Sequence, residues 1–171
     1  MPEVKIHIPE VIEPDEKLPA DLVALRKFSI LMDEAVGIPG TKFRFGLDPL
    51  LSLVPGIGDV ISALLSAWIV AGALRHRVPM RKICLMVFNI LLDLTIGEIP
   101  LLGNLFDIAF EENVINMRIL MRHRNRQLPP RKLSEVAGTV AVIVLVIMVV
   151  GILSVAALIA GVIWLAAQRN G

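Results

Sequence analysis

From Val136 to Ala167 the chain runs for 32 residues without one charged side chain. A helix of about 20 residues already crosses the hydrocarbon core of a bilayer, so this stretch predicts a transmembrane helix. The remainder agrees with that reading: of 171 residues, 56% are hydrophobic and only 19% charged, and the mean hydropathy of +0.74 lies far above that of a soluble domain. The fold class expected is an all-α membrane protein.

Ahead of that helix lie two further apolar runs, each interrupted. Gly46 to Leu74 is broken at Val54-Pro55-Gly56-Ile57-Gly58-Asp59, and Ile83 to Ala109 is broken at Gly97-Glu98-Ile99-Pro100-Leu101-Leu102-Gly103-Asn104. Proline removes a backbone donor and glycine adds backbone freedom, so neither run is expected to be one straight helix. The structural breaks are Pro55, Gly56, Gly58, Pro100 and Gly103. Sliding the chain on itself by 45 residues superposes Val54-Pro55 on Ile99-Pro100, Ile57-Gly58 on Leu102-Gly103, and Asp59 on Asn104. The two runs therefore read as an internal repeat.

Charge decides how the runs sit. Basic residues cluster before the first run (Lys42, Arg44), between the runs (Arg75, Arg77, Arg81, Lys82), and after the second (Arg118 to Lys132). Single crossings would place neighbouring clusters on opposite sides, against the excess of Lys and Arg in cytoplasmic loops. Two re-entrant hairpins, each turning back at its break, keep all sixteen Lys and Arg residues before the last helix cytoplasmic. The architecture expected is thus two repeated broken-helix hairpins plus one C-terminal transmembrane helix. Its divisions are a flexible cytoplasmic lead over 1–19, an amphipathic helix over 20–40, a membrane module over 41–122, a basic linker over 123–135 and the terminal helix over 136–171. The amphipathic helix, with Leu22, Leu25, Phe28 and Leu31 among charged residues, should lie on the membrane surface or pack on a partner helix. Irregular backbone at membrane depth must be covered, so a homo-oligomer is expected.

The segment Gly46-Leu47-Asp48-Pro49-Leu50-Leu51-Ser52-Leu53-Val54-Pro55-Gly56-Ile57-Gly58-Asp59 resembles the signature of the domain of unknown function 4112 family of small bacterial membrane proteins, with Ser52 where that signature carries glycine. The resemblance covers roughly Thr41 to Arg122. It implies a membrane-embedded helical module of the bacterial inner (cytoplasmic) membrane, and it carries over no catalytic residue.

Between Gly46 and Leu74 and between Ile83 and Glu112 every charged side chain is acidic: Asp48, Asp59, Asp93, Glu98, Asp107, Glu111 and Glu112. Asp48 before Pro49, and Asp59 and Asn104 after glycine, sit where helix N-caps sit. Asp93 one turn after Asn89 suggests a local hydrogen bond. Asn104, Asp107 and Glu111 fall on one helix face, and the repeat places Asp59, Ser62 and Ser66 on the matching face. These six are the candidates for a hydrated ion pathway. The reading is a passive channel for monovalent cations or protons, with the N-terminus cytoplasmic. The alternative is a structural membrane protein whose hairpins wedge the bilayer or recruit partners.

Catalysis finds little support. A lone Cys84 beside Arg81 and Lys82 reads as a buried, inert thiol, and Pro55-Gly56-Ile57-Gly58 lacks the Lys and Ser/Thr of a phosphate loop. One cysteine and three scattered histidines make no zinc site. A net charge of +1 argues against a nucleic-acid binder. No enzyme activity and no cofactor are expected.

Overall fold

The computed structural model describes residues 18–37, 44–51, 57–97 and 110–169. Six helices account for most of them: α1 (Ala20–Asp33), α2 (Asp48–Leu51), α3 (Ile57–Arg75), α4 (Met80–Gly97), α5 (Glu112–His123) and α6 (Leu133–Arg169). A two-residue antiparallel pair, β1 (Val36–Gly37) with β2 (Arg44–Phe45), joins α1 to α2 and aligns Val36 with Phe45.

Helix α1 follows Pro19, whose carbonyl accepts the Val23 N–H at 3.1 Å, and carries Asp21 in its first turn, where a negative charge meets the positive end of the helix dipole. It buries Leu22, Leu25, Ser29, Met32 and Asp33, a stripe spaced at three and four residues. That stripe faces α5 and α3. Of the two placements foreseen for this amphipathic segment, packing on partner helices is the one observed.

The hinge between α3 and α4 is short. Val78 N–H reaches the Ala73 carbonyl at 3.0 Å and Arg77 N–H the Leu74 carbonyl at 3.2 Å, the paired bonds of a Schellman ending, with Arg77 left-handed at φ 58°. Pro79, which cannot continue a helix but can open one, then starts α4 by accepting Lys82 N–H at 2.8 Å.

These contacts give every long helix a direction. The first turn of α1 meets the end of α3 through Asp21 and Arg75, and its last turn meets the start of α5 through Asp33 and Val114. The ends of α5 and α3 adjoin through Asn125 and His76, and α6 starts beside Arg75. One end of the bundle thus gathers the termini that carry Arg75, Arg81, Arg122 and Lys132; we call it the basic end. The opposite end holds the close of α1 and the starts of α3 and α5.

This arrangement also locates the two ends of the first apolar run. Leu47 N–H donates to the Leu31 carbonyl at 3.1 Å, and Gly46 sits so close to the Met32 carbonyl that a Cβ there would overlap it. Arg75, at the other end of the run, pairs with Asp21. The twelve-residue step from Asp21 to Asp33 along α1 spans about 18 Å at 1.5 Å per residue, so the two ends of the run lie toward opposite ends of the bundle. Helix α4 leaves the basic end and α5 comes back to it; most of the second half of the second run, residues 98–109, lies outside the described residues. The residues of the breaks themselves, Pro55, Gly56, Pro100 and Gly103, lie outside the described residues, and only Gly58 is seen, buried in the first turn of α3.

The core is formed where α3, α4 and α5 meet, around Ile69, Ile83, Met86, Ile90, Met117 and Leu120. Helix α6 closes it with Val136, Ile143 and Ile147 and approaches α3 closely at Gly151, where a Cβ would press on Val60. Beyond Gly151 no residue of α6 is buried. Among the described residues two helices, α3 and α6, are long and apolar enough to cross a membrane. They differ in cover, since α3 is mostly enclosed by its neighbours and α6 mostly bare.

Candidate functional site

Polar side chains converge inside the bundle, toward its opposite end. Ser66 of α3 donates its hydroxyl to Asn113 Oδ1 at 2.7 Å, and Asn113 Nδ2 donates to Asp33 Oδ1 at 2.8 Å. The second oxygen of Asp33 accepts the Val114 N–H at 2.8 Å. One turn along α5, Asn116 accepts from Asn89 of α4 at 2.9 Å and donates to the Met86 carbonyl and to Glu112. Asp33, Ser66, Asn89, Glu112, Asn113 and Asn116 are all buried. Four helices are therefore tied together through polar atoms that would each cost about 1–3 kcal/mol if left unpaired.

Electrostatics follow from this burial. Withdrawal from water pushes Asp33 up to about 7, against the hydrogen bonds from Val114 and Asn113 that favour its charged form, with Glu111 adding repulsion. Glu112 is raised well above its ordinary value, first by burial and then by the charge of Asp33. A protonated Glu112 gains a hydroxyl donor, and Ser66 is its hydrogen-bond neighbour. The site can thus hold a proton. Among the described residues no group of three or more His, Cys, Asp or Glu side chains is placed to hold a metal ion.

The residues singled out in the sequence divide. Asp59, Ser62 and Ser66 share a buried face of α3, as their spacing predicts, and Ser66 joins the network. Ser62 Oγ is buried and has no hydrogen-bond partner among the described residues. Glu111 stands at the entrance of α5, partly buried, and the side chain drawn inside is its neighbour Glu112. Asn104 and Asp107 lie outside the described residues. Helix α2 includes Asp48, and its first carbonyl acceptor is Leu47, so the cap stands one residue earlier than Asp48. Asn89 crosses to Asn116 on another helix instead of serving only its own turn. Cys84 is exposed, not buried.

Sequence reasoning passed over Asp33, Asn113 and Asn116 as site residues. A signal was present: Asp33 continues the buried spacing of Leu22, Leu25 and Ser29, and Glu112, Asn113 and Asn116 recur at one and four residues, so a helix burying one must bury the rest.

A second polar site forms at the basic end. Asp21 Oδ2 accepts from Arg75 Nη1 at 3.0 Å and lies 2.9 Å from His76 Nε2. Burial alone would raise Asp21, but the hydrogen bond and charge of His76, with the charge of Arg75, outweigh it and hold Asp21 below the usual carboxylate value. The segment joining α5 to α6 is fastened here by Asn125 N–H to the His76 carbonyl at 2.9 Å, Arg131 N–H to the Arg75 carbonyl at 2.8 Å, and Arg77 Nε to the Pro129 carbonyl at 3.2 Å.

Fold and site together define a helical module, closed over a buried polar network and continued by a long apolar helix that fits a membrane location. Residues 21–124 match the family described as domain of unknown function (DUF4112), which is more than half of the chain, and the protein belongs to that family. The match takes in α1 as well as α3, α4 and α5. No curated protein and no solved structure matches the chain.

Proposed function

We propose that the protein is a structural membrane protein: a rigid helical module, anchored by α6 and seated in one leaflet, that serves as a scaffold and not as a catalyst or a conduit. The observation that carries this reading is the closure of the polar network. Carboxylates that line an ion path need water or a passing cation as partners. Here Asp33 is satisfied by Asn113 and Val114, and Asn116 bridges Asn89 to Glu112, all within one chain and all buried. A groove of about 490 Å³ between α3 and α6 is apolar, lined by Ile57, Val60, Ile61, Ile152 and Val155 among others.

The seating follows from length. The charge-free part of α6 spans about 48 Å at 1.5 Å per residue, against about 30 Å of hydrocarbon. Such a helix tilts steeply, or shares its cover with further copies of the chain. The module on its first half then enters the leaflet with its own apolar face, on which Ile61, Leu65, Trp68 and Phe88 are exposed. A body embedded in one leaflet acts as a wedge, and homo-oligomers of it would add up.

The test is a flux assay on reconstituted protein. Potassium and proton flux should stay at the level of empty liposomes, and Asp33→Asn should lower the melting temperature without touching flux. Flux above empty liposomes that Asp59→Asn or Asp107→Asn abolishes would overturn the scaffold and restore a passive channel for monovalent cations or protons.

A further inference from the structure

We propose that Glu112 is a proton-operated latch: its carboxyl, with a proton bound, holds the last turn of α1 against the first turn of α5 and releases it when the proton leaves. The proposal goes beyond the scaffold reading and does not depend on it. Its basis is the direction in which the hydrogen bonds run. Asp33 Oδ1 accepts from Asn113 Nδ2 at 2.8 Å, so the Asn113 amide turns its oxygen the other way and takes the Ser66 hydroxyl at 2.7 Å. A serine hydroxyl has one proton. Ser66 gives it to Asn113 and can only accept from its other hydrogen-bond neighbour, Glu112. The proton of that bond therefore belongs to Glu112. Asn116 Nδ2 already donates to Glu112 Oε1, and a neutral acid meets both demands, its carbonyl oxygen accepting from Asn116 and its hydroxyl donating to Ser66. Donors then point one way along the row Glu112, Ser66, Asn113, Asp33, across α5, α3 and α1.

Loss of the proton breaks the row. An ionised Glu112 only accepts, so Ser66 has to turn its hydroxyl from Asn113 to Glu112. Two oxygens, Ser66 Oγ and Asn113 Oδ1, are then left 2.7 Å apart with no proton between them. The amide must rotate, and Asp33 keeps only the backbone N–H donors of Asn113 and Val114. Two buried negative charges, one on α1 and one on α5, meanwhile repel each other. Burial, and after it the charge of Asp33, hold Glu112 well above its ordinary value, as a carboxyl that keeps its proton at neutrality requires. The last turn of α1 is the segment freed, because the side-chain bond that tied it to α5 is the one undone.

The charged groups around the latch come from every helix that packs on it. Helix α1 brings Asp33 with Glu34 beside it, α2 brings Asp48, and α5 adds Glu111. Asp59 lies two turns before Ser66 on the same buried face of α3, and Asp93 one turn past Asn89 on α4. Glu34, Asp48, Asp59, Asp93 and Glu111 hold interactions of their own and are not parts of the latch. The cations of these helices stand further along them: Arg26 and Lys27 seven and six residues before Asp33, Arg118 six residues past Glu112, and Arg75, Arg81 and Lys82 at the basic end. Among the described residues no Lys, Arg or His side chain is bonded to Asp33 or Glu112.

The experiment uses full-length protein in nanodiscs, carrying Cys84→Ala and spin labels on cysteines placed at Leu31 and Ile115, one on each side of the joint. In the otherwise wild-type chain the distance between labels should shift to longer values between pH 5 and pH 9. Glu112→Gln should abolish the shift, since the Gln amide donates to Ser66 at every pH and its oxygen still accepts from Asn116. Unlabelled wild type should show the infrared carbonyl band of a protonated carboxyl at pH 7, where exposed carboxylates are ionised, and lose it over the range in which the labels separate. Glu112→Gln should lack that band. A label distance that stays constant in the wild-type chain, or a shift that survives in Glu112→Gln, would overturn the proposal. Absence of the band from wild type at pH 7 would do so as well, and that measurement needs no variant to fold.

Discussion

Asp33 Oδ1 takes a hydrogen bond from Asn113 Nδ2 at 2.8 Å across 80 residues of sequence, joining the last turn of α1 to the first turn of α5. The carboxylate and the amide are both buried, so neither can exchange its partner for water.

Removing one side of that pair should be costly. Asn113→Ala leaves Asp33 with backbone N–H donors alone and takes the Asn113 acceptor from Ser66, so we expect a loss of about 1–3 kcal/mol. Asp33→Asn should cost a similar amount, because its amide would point a donor at the Asn113 amide or the Val114 N–H. Thermal melts in mild detergent check both. A melting temperature unchanged in both variants would show that the network is not fastened as described.

Stability should depend on pH in a definite direction. Asp33 has its pKa raised to about 7 from an unfolded value of 3.8, and Glu112 is raised too, so the folded protein binds protons more tightly than the unfolded chain. Their contribution is full below the unfolded value and is lost as the pH rises through the folded one. Asp21 is lowered, and its contribution is present above its unfolded value and lost in acid. The melting temperature should therefore be higher at pH 5 than at pH 8 and fall again in strong acid. In Asp33→Asn the drop between pH 5 and pH 8 should shrink.

The α3–α4 hinge gives a paired substitution. Arg77→Ala keeps the left-handed backbone and loses the bond to Pro129, and should destabilise by about 1 kcal/mol. Arg77→Gly loses the same bond but relieves about 1 kcal/mol of backbone strain, so it should melt near wild type. Equal losses in both would show that the backbone carries no strain at this position.

Trp68 reports on seating. It is exposed on α3, edge-on to Phe28 at 5.0 Å between ring centres. With Trp164 replaced by Phe, the fluorescence of Trp68 should be quenched by lipids brominated along the acyl chain and spared by aqueous iodide. The reverse pattern would place the module outside the leaflet.

The apolar helix α6 was legible because 32 residues without charge have one outcome. The buried face of α3 was legible because Asp59, Ser62 and Ser66 repeat at helical spacing. The partners were not. Ser66 meets Asn113, 47 residues away, and no periodicity within one helix says which other helix will face it. Charge counting treats each run alone, and so gives no sign that Leu47 N–H bonds the Leu31 carbonyl, a contact outside the run.

Helices built from Ala, Leu, Ile and Val present nearly the same apolar surface after a shift of one turn, so packing alone leaves several alignments close in energy. The network removes that degeneracy. If α5 slid by four residues against α1 and α3, the amides of Asn113 and Asn116 would face methyl groups, and Asp33 and Ser66 would each lose a buried partner. Several such losses at about 1–3 kcal/mol each exceed what the shifted apolar contacts could return. The polar atoms at the centre of this bundle thus act as a key, admitting one mutual alignment of four helices that grease alone would let slide.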